Sequence, residues 1–163
     1  MLLGVESEAR ERETVLVSAC LLGRPCRYDG RSRPDEPLAR ALEAEGVAVL
    51  GFCPEEEGGL PTPRPPASLT GEGAAAVLDG HGRVLTDGGA DVTAAFVAGA
   101  EAALAACRAH LVRRAFLKER SPSCGVETTH VAGARVEGRG VTTELLARAG
   151  LCVEGVEGGS EGD

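Results

Sequence analysis

At 163 residues the chain is long enough for one domain with a core of its own. Its net charge of −8 excludes a broad basic face, and with it nonspecific nucleic-acid binding. No run approaches the roughly 18 apolar residues of a membrane span. The first residues lack the basic start and long apolar core of a secretory signal, so a cytoplasmic protein is expected. In that compartment six cysteines serve as ligands or reactive thiols rather than disulfides, and none falls in a CxxC pair.

Residues 1–13 are charged and aperiodic and read as a flexible start. The apolar run Thr14 to Ala19, rich in valine, has the signature of a strand buried on both faces, and it ends at Cys20. From Leu21 to Pro34 a loop carries four arginines against the single Asp29, a basic spot in an acidic protein. A helix opens after Asp35, with Pro37 in its first turn and Gly46 at its end. Val47 to Phe52 is then a second buried strand, ending at Cys53. Strand, helix and strand at this spacing form a βαβ unit with parallel strands.

Residues 53–66, dense in proline, read as an irregular, extended loop. Ala74–Leu78 and Arg83–Thr86, around Asp79-Gly80-His81-Gly82, are expected to form a small β-hairpin. The longest helix starts at Asp91 or Thr93 and runs to about Arg108 or His110. Phe96, Ala100, Leu104, Cys107 and Leu111 share its apolar face. Arg113–Leu117 is a third strand, followed by the rigid turn Ser121-Pro122-Ser123-Cys124-Gly125. Thr142 or Thr143 caps a last helix to Ala149, and Leu151–Val153 is a final short strand. The pattern predicts a three-layer, Rossmann-like α/β domain over 14–154 with a mostly parallel sheet, and a disordered tail over 155–163.

Three strands thus end in Cys20, Cys53 and Cys124, and in an open parallel sheet the crevice outside the strands' carboxyl ends is where ligands bind. Three soft thiolates without an obvious fourth ligand suit an iron–sulfur cluster with one open iron, or a zinc ion with an open position. Cys107 and Cys152 read as small buried hydrophobes, whereas Cys26 is open between ligand, reactive thiol and packed turn residue. His81, His110 and His130 are expected in surface or structural roles. Glu55 is fixed near Cys53 by Pro54 and is a candidate proton shuttle, while Glu56 and Glu57 read as a solvated acidic run. Ser121 and Ser123 can cap the turn, satisfy backbone groups or bind substrate. With no histidine beside them, a serine nucleophile is not expected.

Four motifs in order carry a resemblance: Val17-Ser18-Ala19-Cys20-Leu21-Leu22-Gly23; Cys26-Arg27-Tyr28-Asp29-Gly30; Cys53-Pro54-Glu55 with Gly58-Gly59-Leu60-Pro61-Thr62-Pro63-Arg64; and Ser121-Pro122-Ser123-Cys124-Gly125. Over about residues 14–153 the chain resembles the thiouracil desulfidase family, departing from it at Ala67-Ser68, where an acidic residue is expected. The resemblance implies a [4Fe-4S] cluster held by Cys20, Cys53 and Cys124, with one iron not ligated by protein. That iron takes the sulfur of a small thiolated pyrimidine, and hydrolysis releases sulfide without net redox change. Glu55 and Ser121 are then the catalytic residues, and Ser123 and Arg27 bind substrate. Two other readings stand beside this one: a cluster- or zinc-binding sensor or binding protein, and a sulfur-inserting thiolation enzyme. The latter needs an ATP site, and no GxxxxGK[ST] loop occurs.

Overall fold

The computed structural model describes residues 12–159. Most of the flexible start expected over 1–13 therefore lies outside the described residues. Among them, no helix is long and apolar enough to cross a membrane.

The architecture is α/β. Four strands, β1 (Thr14–Ser18), β2 (Ala48–Phe52), β5 (Arg114–Lys118) and β8 (Cys152–Val156), form a wholly parallel sheet in the order β2-β1-β5-β8. β1 and β5 occupy its centre and bury both faces, as their unbroken apolar runs require. Val15, Val17 and Phe116 point toward helix α1 (Glu36–Glu45) and pack on its Leu42. Leu16, Ala115 and Leu117 face the opposite way, onto Leu104 and Cys107 of α4 (Thr93–Ala109) and Leu146 of α5 (Val141–Arg148). The helix boundaries follow their local chemistry. Asp35 caps α1 through the Leu38 N–H at 2.9 Å, and Gly46 closes it in the left-handed region, φ 77°. Asp91 accepts the Thr93 N–H at 2.9 Å where α4 begins.

A second, four-stranded sheet was not expected. Its order is β4-β3-β6-β7, formed by β3 (Ala67–Leu69), β4 (Val84–Thr86), β6 (Thr128–Val131) and β7 (Ala134–Glu137). The hairpin expected across residues 74–86 is not there. Gly73–Leu78 is a short helix, α3, which buries Ala74 and Val77 at i and i+3, and Gly80 (φ 92°) follows the helix end instead of making a hairpin turn. Alanine's helix propensity outweighs the turn signal of Asp79-Gly80. The hairpin of this fold is β6–β7, closed by Ala132 and Gly133 at φ 51° and 81°, as a two-residue primed turn demands.

Four further differences are local. Pro54–Glu57 forms one helical turn, α2, within the proline-rich segment, because proline is tolerated at a helix's first position. Leu111 lies beyond the end of α4 at φ 56° and is 83% exposed, so the apolar stripe stops at Cys107. Cys152 is exposed, since β8 is an edge strand. β8 also continues through Gly155 and Val156, paired with Leu117 and Lys118, where a disordered tail was expected. Residues 160–163 of that tail lie outside the described residues.

Candidate functional site

The parallel order of β2, β1 and β5 brings their carboxyl ends side by side, and each end carries a cysteine. Cys20 follows β1 in a single 3₁₀ turn (Ala19–Leu22), Cys53 stands at the N-cap of α2, and Cys124 lies in the turn after β5. All three are buried and line one cavity of about 1120 Å³, which reaches from the sheet ends to the second sheet. Cys26, also buried, lines the same cavity, and its carbonyl accepts the Cys53 thiol at 3.7 Å.

The turn that bears Cys124 is built as the cap of α5. Backbone N–H groups of Val141 and Thr142 donate to the carbonyls of Pro122 and Ser123 at 2.9 and 2.8 Å, and the Thr143 hydroxyl donates to the Cys124 carbonyl at 2.9 Å. Thr142 and Thr143 thus sit in the first turn of α5, after Gly140 as N-cap, and not at the cap itself. Gly125 has no room for a side chain: a Cβ would overlap the Thr128 carbonyl.

The two serines of this turn separate. The Ser121 oxygen accepts the N–H groups of Ser123 and Cys124 at 3.0 and 2.9 Å, and its hydroxyl lies close enough to Glu55 to favour the ionised carboxylate. Ser123 is 1% exposed, pairs with the Thr142 hydroxyl at 2.8 Å and does not line the cavity. The expected substrate-binding role of Ser123 has no cavity contact beside it, and its hydroxyl braces the turn behind Cys124. Arg27 does line the cavity, 3.8 Å from Asp29 and over the ring of Tyr28. His130 stands on β6 at the cavity's far wall.

Glu55 separates from its acidic neighbours. It faces the cavity, is held by Arg64 at 2.9 Å, and burial raises its pKa against the opposing pull of Arg64 and Ser121. Glu56 is not simply solvated either: it pairs with Arg24 at 2.7 Å and accepts the Thr62 hydroxyl. Glu57 has neither role among the described contacts.

Sequence reasoning missed three polar residues here. Ser18 accepts the Lys118 N–H at 2.9 Å, and its hydroxyl lowers the pKa of Cys124 against the effect of burial. Lys118 is 7% exposed within the cavity wall, and desolvation lowers its pKa to about 8. Glu119 is buried beneath the wall, where its carboxylate gathers the N–H groups of Val126, Glu127 and Thr128 at 3.0–3.1 Å and so pins the segment between Cys124 and β6. Charged residues flanking an apolar run signal a strand end in sequence; only the folded chain shows that these ends are buried.

Three of these thiols, those of Cys26, Cys53 and Cys124, are pushed toward the protonated form. Contact with Cys20 raises the pKa of Cys26 to about 12, contact with Cys26 raises that of Cys53, and burial raises that of Cys124 to about 12. A metal centre entering this cavity must displace those protons. Among the described residues no group of three or more His, Cys, Asp or Glu side chains is arranged around a single metal ion. Three thiols from three strand ends on one buried cavity instead match the donor set of a cluster that brings its own iron and sulfide.

Comparison with known proteins bears on this geometry. The 2-thiouracil desulfurase family profile matches residues 15–157. The uncharacterized protein YbbK of Bacillus subtilis (strain 168) is 40% identical over 142 residues, covering 85% of this chain and 93% of that protein. A solved structure, described as a [4Fe-4S]-dependent thiouracil desulfidase, TudS, is 48% identical, covers 88% of this chain and 90% of its own, and superposes with a TM-score of 0.75. The chain belongs to the 2-thiouracil desulfurase family.

Proposed function

We propose that this protein is a [4Fe-4S]-dependent desulfidase that replaces the sulfur of a thiolated pyrimidine with oxygen. The carrying observation is that Cys20, Cys53 and Cys124 stand at three adjacent parallel strand ends on one buried cavity that also presents Glu55. The family membership and the 48% identical [4Fe-4S]-dependent relative support the same reading. The thiocarbonyl and one water give the carbonyl product and hydrogen sulfide, so no electrons are exchanged overall.

The cysteines would hold the cluster, and when bound it supplies a Lewis-acidic iron without a protein ligand, which favours soft sulfur over oxygen. The protein's own part falls to Glu55 and its neighbours. Burial raises the pKa of Glu55 against the pull of Arg64, and its carboxyl faces the cavity, where it can give a proton to departing sulfur or take one from incoming water. Ser121 lines the same cavity from the Cys124 turn and so brings a hydroxyl near that carboxyl. The six free cysteines fit a reducing cytoplasm as the place of work.

The cavity lies at the large end of small-molecule sites. Arg27, Arg120 and Arg135 also line it, together with Ser68 of β3 and Thr70 just after it. A nucleotide, with base toward the cysteines and phosphate toward the arginines, fits this division of charge better than the free base. The test is kcat/KM for thiouracil, thiouridine and thiouridine monophosphate with anaerobically loaded enzyme. The nucleotide should be preferred, and Arg27→Met should erode that preference. Equal kcat/KM for base and nucleotide would overturn the assignment of substrate size.

A further inference from the structure

Arg64 sits in the proline-rich segment after α2, and its side chain is only 5% exposed. Its guanidinium reaches several partners at once. Nε donates to Glu55 Oε1 at 2.9 Å, and Nη2 donates to the Cys26 carbonyl at 2.9 Å. Nη1 donates to the Pro61 carbonyl at 3.0 Å and to Thr62 Oγ1 at 2.8 Å. The backbone N–H of Arg64 adds a bond to the Tyr28 carbonyl at 2.8 Å. Two donors along one edge of a rigid fork thus join two separate loops: the one after β1, which follows Cys20 and carries Cys26, and the helical turn after Cys53, which carries Glu55.

We infer that Arg64 is a positioning residue of the desulfidation, which fixes the Glu55 carboxyl in the cavity and locks the Cys26 loop to it. The inference rests on the functional reading above and deepens it. Arg64 acts through Glu55 and not on the substrate, because four of the five N–H donors of its guanidinium are engaged within the protein. A charge alone would not do this. Lysine offers a single flexible point, whereas the planar fork holds Glu55 and the Cys26 carbonyl in one plane at a fixed spacing. Without it, Glu55 loses the side-chain hydrogen bond that sets its direction.

The test uses full-length Arg64→Lys, Arg64→Ala, Glu55→Gln and the Arg64→Lys/Glu55→Gln pair. Per assembled cluster, Arg64→Lys should lose about 10²-fold in kcat, the scale on which small misplacement acts, with little change in KM. Guanidinium chloride should restore part of the kcat of Arg64→Ala, and methylammonium chloride should not. A readout that needs no cluster is urea unfolding of cluster-free wild type, Arg64→Lys, Glu55→Gln and the double variant. The double-mutant cycle should show Glu55 and Arg64 coupled by about tenfold in the unfolding equilibrium constant. Wild-type kcat per cluster in Arg64→Lys, rescue by methylammonium as good as by guanidinium, or additive effects in the cycle would each overturn the inference. Failure of the functional reading looks different: wild-type enzyme with a full cluster would release no sulfide, while the coupling in the cluster-free chains would still be present.

Discussion

The Ser121 hydroxyl oxygen accepts the backbone N–H of Cys124 at 2.9 Å. The serine proposed to serve the chemistry thereby also shapes the turn that presents a proposed cluster ligand. Ser121→Ala removes the acceptor for two N–H groups and the hydroxyl near Glu55 together. It should cost about 1 kcal/mol of stability, as loss of a local side-chain cap does, and lower turnover per cluster. Ser121→Thr keeps the oxygen and should recover most of both. Thermal unfolding, iron content and turnover measured on the same preparations separate the two effects.

The ligand set makes a second prediction. Cys20→Ser, Cys53→Ser and Cys124→Ser should each lose most bound iron after anaerobic reconstitution. Cys152→Ser should be indistinguishable from wild type, because this thiol is exposed at the start of an edge strand. Cys107→Ser should retain iron but lose about 1–3 kcal/mol of stability, since a hydroxyl replaces a thiol among Leu16, Leu104 and Val112. Full iron in Cys124→Ser would show that the triad is wrongly chosen.

Glu55 and Glu56 differ in what their loss should do. Glu55→Gln should load normal iron and sulfide and lose about 10²–10⁴-fold in turnover per cluster, the usual worth of general acid–base help. Glu56→Gln weakens a partly exposed pair with Arg24 and should cost no more than about 1 kcal/mol, with turnover unchanged. Wild-type turnover in Glu55→Gln would remove the carboxyl from the chemistry.

Which parts of this molecule were legible depended on how local their causes are. Val15-Leu16-Val17 and Ala115-Phe116-Leu117 announce central strands because burial on both faces leaves no polar position, and their cysteine ends follow directly. Asp35 and Gly46 mark α1 by capping chemistry alone. The second sheet was hidden. Its hairpin turns on Ala132-Gly133 without the Asn-Gly or Asp-Gly pair that advertises such turns, and the Asp79-Gly80 pair that does advertise one follows a helix instead. At the site, Cys53 and Glu55 could be read from their spacing to Pro54. The grip of Arg64 on Glu55, and the burial of Lys118 and Glu119, depend on contacts between segments distant in sequence. The bond of Ser123 to Thr142 was hidden for the same reason, since Thr142 belongs to α5.

Asp91 gives a pH-dependent test of the scaffold. Its bonds to Thr93 at the start of α4, followed by the pair with Arg83, lower its pKa from 3.8 to about 2. A carboxyl with a depressed folded-state pKa contributes stability that is present above its unfolded value and lost as pH falls through the folded one. Cluster-free wild-type protein should therefore lose stability between about pH 4 and pH 2. Asp91→Asn, which cannot titrate, should show a shallower acid limb in that window. Parallel urea midpoints across the two curves would remove Asp91 from the acid response.

The central claim is tested most directly by measuring iron, acid-labile sulfide and sulfide release on one anaerobically reconstituted preparation. Thiouracil and thiouridine monophosphate are supplied as substrates, with no added reductant. The account predicts iron and labile sulfide in the proportions of one [4Fe-4S] cluster per chain. It also predicts repeated turnovers in which released sulfide equals the oxo pyrimidine formed. Zinc in place of iron, or a full cluster that releases no sulfide from either compound, would contradict it.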